Sequence, residues 1–517
     1  ALCAGLAAGS AVRGLRAAKL GAGSQVDGVV LVSDQVAFVG PALPSVLPMG
    51  TAEVLGFRPS EAPRWRRPAA QCKRREPAVA CAAVTMVGWG YGVAALASVS
   101  VALAARRRFN DVQAIKDFIT QRTNIVIVDR PLSSEPYNVA VDGAVPGPMQ
   151  TVRWYLKNDD VLRRALRDGA LGFGESYMDG DWQTDDIEAF CNELLKLEGQ
   201  EAQLGWRAVP LLASLAAGAL ASRLVPRNTL RSAPINVAHH YNISNKLYEK
   251  MLGPTMMYSS GLFGREGVSL DEAQRAKLEL LATKLDLRPG MRVLEIGFGW
   301  GTLAHFLASE HGVSVTALSL SAEQLAFARE RNAHPNVDFR LQDYRTFQPE
   351  DGGAFDRIVS VEMIEHVGRK HLPEFFQKCD EFLADDGILL LQSIGCSIWK
   401  VMVGKSFIEK YIFPGCEPPQ QSDFASVAPT WHLEDWESFG KDYARTMRLW
   451  RHNLGEWEGL EEFDARFRRM WEYYLLSCAA SFDRRRTKVW QLQYTKAASR
   501  RPRDCIHARA APALAAA

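Results

Sequence analysis

From residue 270 to residue 394 the sequence alternates segments of helical period with short runs of apolar and β-branched residues. Residues 270–285, 303–310, 322–332 and 372–383 read as helices. Residues 292–296, 313–318, 337–341, 355–361 and 387–394 read as strands. Strands joined through helices pair in parallel, and a parallel sheet needs cover on both faces. The alternation therefore predicts an α/β domain with a doubly wound sheet. The tail, residues 436–496, is predicted mostly helical, with a closing strand at 489–494.

The first strand of this pattern ends in Glu295-Ile296-Gly297-Phe298-Gly299-Trp300-Gly301. Glycines let the backbone turn sharply and approach a ligand closely. A dinucleotide-binding turn shares that logic but carries a third glycine at a different spacing. Here an acidic residue lies two positions before the first glycine, where a carboxylate meets an ammonium or sulfonium better than a pyrophosphate. The segment resembles motif I of class I methyltransferases, a Rossmann-like fold that binds S-adenosylmethionine. Ligands in open α/β sheets lie at the carboxyl ends of the strands. Ser319, Leu320 and Gln324 follow the second strand, without the acid that commonly holds the ribose. Asp343 and Tyr344 follow the third, where relatives of this fold bind adenine. The cofactor set is thus Glu295, Gly297, Gly299, Gly301, Ser319, Leu320, Gln324, Asp343 and Tyr344.

The 517 residues are too many for one ordinary core, so further domains are expected. Basic residues number 61 and acidic ones 59, a balance that excludes a general nucleic-acid binder. Nine cysteines without a CxxC pair suit a reducing compartment and offer neither a disulfide framework nor a zinc site. His239-His240 lacks a third ligand at suitable spacing, so no metal is expected. Residues 1–25 hold Arg13, Arg16 and Lys19 and no acid, a composition that suits an organellar transit region or a low-complexity tail. The record begins with Ala, which fits a processed or incomplete start.

Residues 1–76 form this targeting or disordered region. Residues 77–105 carry no charge and are long enough to span a bilayer, or they belong to a cleaved targeting sequence. Residues 110–200 are expected to form a small α+β domain. It has strands at 124–129 and within 133–143, a helix at 154–166, and a helix at 185–197 capped by Thr184 or Asp185. Residues 201–235 read as a linker or an arginine-bearing interfacial helix. The catalytic domain is placed at 236–496 and a disordered tail at 497–517.

Several segments, in this order, resemble the cyclopropane-fatty-acyl-phospholipid synthase family, which includes the mycolic acid cyclopropane synthases. They are Ala238-His239-His240-Tyr241-Asn242-Ile243-Ser244-Asn245, Met257-Tyr258-Ser259-Ser260, Ile364-Glu365-His366-Val367-Gly368, residues 407–415 and residues 473–479. The GESYMDGDW segment at 174–182 is similar to the family's amino-terminal domain. The resemblance implies transfer of a methylene from S-adenosylmethionine to the cis double bond of a phospholipid acyl chain. It adds Tyr258 and Ser259 to the cofactor set and implies a bound bicarbonate as the base. The matching ligands are Ser260, Glu365, Gln392, Ile394 and Tyr443, with serine and glutamine where cysteine and histidine are frequent. Cys478 matches the designated active-site cysteine, and its aromatic surroundings suggest packing beside the acyl chain. His366 could orient Glu365 or be structural.

The implied setting is a membrane-associated enzyme whose partner is a phospholipid bilayer, possible as a homodimer and possible in an organelle. Two other readings remain open at this point. One is C-methylation giving a methyl- or methylene-branched acyl chain or sphingolipid base. The other is a lipid-binding protein with a relic cofactor fold.

Overall fold

The computed structural model describes residues 29–32, 35–38, 112–129, 151–197, 245–350, 352–396, 406–426, 430–497 and 499. The uncharged run 77–105, the strand expected within 133–143, the arginine-bearing linker 201–235 and the His239-His240 pair lie outside the described residues.

By itself, the unit that spans residues 12–93 shows one antiparallel hairpin, β1 (Val29–Val32) against β2 (Gln35–Phe38). In the larger unit, α1 (Val112–Thr120) precedes β3 (Ile125–Asp129) and β4 (Val152–Leu156), which pair in parallel. Then follow α2 (Asp160–Met178), β5 (Trp182–Thr184), antiparallel to β4, and α3 (Ile187–Leu195). The helix expected over 154–166 is corrected: residues 152–156 are a strand, and the helix starts at Asp160 and absorbs GESYM. Trp154 and Leu156 point to one buried face with period two, and Asn158 turns the chain by accepting the Asp160 N–H at 2.8 Å. The last helix is capped by Asp186, whose carboxylate accepts the Ala189 N–H, instead of by Thr184 or Asp185. Trp154, Phe173, Trp182 and Phe190 fill the core between these elements.

The catalytic region opens with α4 (Asn245–Leu252) and α5 (Leu270–Lys284). Ser269 and Glu272 form a reciprocal capping box at the start of α5, a device that stabilises a helix by about 1 kcal/mol. Then come β6 (Arg292–Ile296), α6 (Thr302–His311), β7 (Ser314–Ser319), α7 (Ala322–Arg331), β8 (Val337–Leu341), β9 (Phe355–Val361), α8 (Leu372–Phe382) and β10 (Leu383–Gly395). The chain continues through α9 (Phe407–Tyr411), α10 (Gln421–Ser426), β11 (Trp431–Ser438), α11 (Gly440–Leu454), α12 (Ala465–Asp483) and β12 (Lys488–Lys496).

The strands of this region make one seven-stranded sheet in the order β11-β12-β10-β9-β6-β7-β8. Strands β6 to β10 are parallel, as the alternation requires, and β12 and β11 join antiparallel at one edge. The expected doubly wound sheet is therefore present with an antiparallel extension. Trp436, expected in a helical tail, lies in the edge strand. The chain runs outward from β6 to β8 and then returns to place β9 on the other side of β6. That reversal leaves a crevice above the carboxyl ends of β6 and β9.

The small α+β domain docks on α12. Arg469 donates from Nε to the Tyr177 carbonyl at 2.6 Å and from Nη2 to the Trp182 carbonyl at 2.8 Å. The Tyr177 hydroxyl donates to Glu472 at 2.8 Å. Glu175, in the same segment, accepts Lys410 Nζ and the Tyr411 hydroxyl, and so holds α9. The GESYMDGDW segment is thus the joint between the small domain and the walls of the crevice.

Candidate active site

Strand β6 is buried along nearly its whole length, so its end must deliver the chain to the crevice by a sharp turn. The turn is made at Gly297 (φ 92°) and Gly299 (φ 55°), a backbone region that costs other residues roughly 1–2 kcal/mol. The Gly297 and Phe298 N–H groups bond back to the Leu318 carbonyl on β7. A Cβ on Gly297 would stand 2.6 Å from Met363 Cγ, whereas one on Gly299 would enter open space in the cavity. Gly301 differs from the expectation. A Cβ there would meet Ala328 and Phe339 at 2.8 Å, and the residue is not among those lining the cavity. Its role is close packing of α6 on the sheet.

The cavity is lined by Tyr258, Ser259, Glu295, Gly297, Gly299, Ser319, Leu320, Gln324, Asp343 and Tyr344, which are the rest of the expected cofactor set. Glu295 is 2% exposed; it accepts the Ala304 N–H, and its Oε2 has no partner. Burial pushes its carboxyl up to about 8. Gln324 receives the Ser319 hydroxyl on its Oε1 at 3.0 Å, and its buried Nε2 has no partner. An unsatisfied buried carboxylate and an unsatisfied buried amide facing one cavity call for a ligand that carries a cation and hydroxyl acceptors. S-adenosylmethionine, with its ammonium, sulfonium and ribose, fits that demand. Asp343 is fixed by Arg345, which donates to both carboxylate oxygens.

A second cluster adjoins this cavity, and its centre, Glu362, was not singled out from the sequence. Glu362, at the end of β9, lines the cavity. Its Oε1 accepts the Ser260 N–H at 3.0 Å and the Gln392 amide at 2.7 Å, and its Oε2 accepts the Tyr443 hydroxyl at 2.7 Å. Gln491, opposite Gln392 in the β10–β12 register, donates to the Gln392 carbonyl and so turns its NH2 toward Glu362. Glu362 adopts φ 50°, a left-handed conformation rare for a side chain of this kind. Burial raises its pKa. The three donors, and the charge of Lys277, buried nearby with its Nζ 2.6 Å from the Ser259 hydroxyl, act in the opposite direction and favour the anion.

The structure thus splits the expected anion-binding set. Ser260, Gln392 and Tyr443 converge on Glu362. Glu365 instead accepts the Ile394 N–H and the Ser393 hydroxyl. Glu365 is buried, and desolvation together with the Glu362 charge pushes it up to about 8. Burial lowers His366 to about 4, so its neutral ring is a wall of the cavity packed near Phe413. Cys478 is half-buried on α12 against the large aromatic cluster and is not among the cavity's lining residues.

Aromatic rings close this end. The Tyr258 and Tyr474 hydroxyls are 3.0 Å apart, and Tyr258 packs against Phe413 and Trp450. Tyr443 stacks on Phe482 with centroids 4.5 Å apart. No other arrangement of the sequence could be inferred from spacing alone, because these rings come from four separated segments.

Comparison with known proteins places this geometry. Residues 228–492 match the family described as mycolic acid cyclopropane synthetase. The cyclopropane-fatty-acyl-phospholipid synthase of Escherichia coli (strain K12) is 40% identical over 361 residues, 69% of this chain and 90% of that protein. The tuberculostearic acid methyltransferase of Mycobacterium tuberculosis is 33% identical over 313 residues, 57% of this chain and 71% of that one. A solved cyclopropane synthase from Mycobacterium tuberculosis is 30% identical, with a TM-score of 0.45 over 50% of this chain and 97% of its own.

Proposed function

We propose, from the premise that this chain belongs to the mycolic acid cyclopropane synthetase family, that it cyclopropanates unsaturated acyl chains of phospholipids at the expense of S-adenosylmethionine. It is an S-adenosylmethionine-dependent methyltransferase with a class I α/β fold. Bound along Glu295, Gly299 and Gln324, the cofactor supplies an electrophilic methyl on a sulfonium. The observation that carries the reading is the continuity of this cavity with an aromatic-walled cluster around a carboxylate. An alkene is a weak nucleophile, and its methylation leaves a carbocation that water would capture. Tyr258, which lines the cavity and is backed by Phe413 and Trp450, brings an aromatic ring that excludes water and favours positive charge. Closing the ring then needs a base close to the new methyl.

The base in the reading drawn from the resemblance is a bicarbonate ion held by Ser260, Glu365, Gln392, Ile394 and Tyr443. An anion at this place is supported by the convergence of the Ser260 N–H, the Gln392 amide and the Tyr443 hydroxyl.

The deciding experiment is mass spectrometry of total fatty acids from a bacterial host that lacks its own synthase and expresses this chain. Acyl chains heavier by one CH2 that resist hydrogenation are the expected result. Heavier chains that hydrogenate, or saturated branched ones, replace the ring by a methylene or methyl branch, and unchanged chains remove the assignment.

The double bond of such a substrate lies inside a bilayer, so the enzyme works at a membrane surface. Among the described residues no helix is long and apolar enough to cross a membrane. The segments expected to provide access are 77–105 and 201–235. Flotation with anionic vesicles at rising salt separates them: a spanning segment holds regardless of salt, and an arginine-borne interfacial one releases at about 1 M, where the screening length is about 3 Å.

A further inference from the structure

The carboxylate of Glu362 occupies the place where an external anion would sit. Three donors that an exogenous base would need are already spent on it: the Ser260 N–H, the Gln392 amide and the Tyr443 hydroxyl. A carboxylate and a bicarbonate offer the same planar pair of oxygens, so one excludes the other from the same donors. Glu362 is also the member of the cluster that lines the cofactor cavity, whereas Glu365 is shut behind it. It keeps its position in a left-handed backbone conformation, which a residue with no more than a packing role would give up to glycine.

We propose that Glu362 is the built-in base of this enzyme, and that the protein needs no bicarbonate. This inference deepens the functional reading above and depends on it. The alkene π pair forms a C–C bond to the sulfonium methyl while the C–S pair stays on sulfur, leaving a carbocation at the adjacent carbon. Glu362 then takes one proton from the transferred methyl, and the freed C–H pair closes the third C–C bond of the ring. Glu362 ends as a carboxylic acid and returns its proton to solvent after product leaves. Gln392, fixed by Gln491, and Tyr443 position the carboxylate. Lys277, which burial lowers to about 7, favours the ionised form of Glu362 when it is itself protonated.

The test measures turnover on vesicles of unsaturated phosphatidylethanolamine, with acyl products identified by mass spectrometry, in buffer stripped of carbon dioxide and again with added bicarbonate. The wild-type protein is expected to be equally active in both. Glu362→Gln is expected to lose about 100-fold or more in turnover, the scale of a lost general base, with S-adenosylmethionine affinity by calorimetry unchanged. Glu362→Gly suits the backbone at this position and empties the donor set, so bicarbonate is expected to restore its turnover by about tenfold or more. Carbon-13 NMR gives a second readout: labelled bicarbonate should bind Glu362→Gly and not the wild type. Wild-type activity that disappears without bicarbonate, or bicarbonate bound to the wild type, overturns the proposal even if neither variant folds. Formation of no modified acyl chain under any condition, with the cofactor bound, defeats the functional reading instead.

Discussion

Glu362 and Glu365 are separated by a single turn, yet they share no hydrogen-bond donor. Glu362 opens on the cavity and collects three donors, while Glu365 is buried and keeps Oε2 unpaired. Two carboxylates this close divide the work, one ionised and the other neutral. The three donors and Lys277 favour the anion at Glu362, against the burial that raises its pKa.

That assignment gives a pH dependence with a definite sign. The Glu365 carboxyl is raised from 4.5 to about 8 in the folded protein. Between those values the folded chain holds a proton that the unfolded chain has lost. The stability it contributes is complete below about 4.5 and disappears as pH rises through about 8. Glu365→Gln cannot ionise, so its denaturant midpoint should fall less between pH 7 and pH 9 than that of the wild type. The fall that remains in the variant includes Glu295 and Glu362, which are displaced in the same direction. Identical midpoint losses in variant and wild type would show that Glu365 is already charged at pH 7.

Glu295 makes cofactor binding itself a proton-linked event. Its buried carboxyl is neutral below about 8 when nothing is bound, and a cation beside it favours the ionised form. Binding at pH 7 should release up to about one proton from this group, and affinity should rise with pH until about 8. Calorimetry in buffers of different ionisation enthalpy measures the release. Glu295→Gln should bind more weakly and lose that component, whereas an unchanged release in this variant would assign the proton to the ligand.

Gly299 tests the cofactor turn by shape. A side chain there points into open cavity space from a φ of 55°. Gly299→Val should weaken S-adenosylmethionine binding by about 100-fold, equivalent to about 2.7 kcal/mol, while far-ultraviolet circular dichroism stays that of the wild type. A folded variant with normal affinity would move the cofactor away from this turn.

The cofactor end was legible because its chemistry is local. Glu295, Gly297 and Gly299 lie within five residues, and the strand that carries them is buried and followed by a helix. The base was not legible, because its meaning depends on convergence. Glu362 reads as one more acid between Val361 and Met363 until Ser260, Gln392 and Tyr443 are brought to it from a loop, β10 and α11. Resemblance found those three partners and assigned them, with Glu365 and Ile394, to a bicarbonate ion. The same limit explains the misread elements. Trp154 stands at helical spacing from Val161 and at two-residue spacing from Leu156, and pairing with β3 and β5 decides for the strand. Trp436 becomes a strand residue only through the β12 register.

The last prediction concerns the joint between the small domain and the catalytic wall. Arg469 lies on α12, the helix that also carries Tyr474 and Cys478, and its guanidinium sits 3.8 Å from the centroid of Tyr177. Two of its N–H groups satisfy the carbonyls of Tyr177 and Trp182, which belong to nearly solvent-free residues of the small domain. Arg469→Ala leaves both carbonyls without this donor and removes a cation from an aromatic face. The cost should be about 2–3 kcal/mol, read as a lower denaturant midpoint. Glu472 adds a separate tie through the Tyr177 hydroxyl, so the loss should be larger in Arg469→Ala/Tyr177→Phe than in either single variant. S-adenosylmethionine affinity should stay within about twofold, because the cofactor turn lies on β6, and turnover should fall as α12 loses its backing. Wild-type stability with normal turnover in the double variant would mean that the small domain does not brace the site.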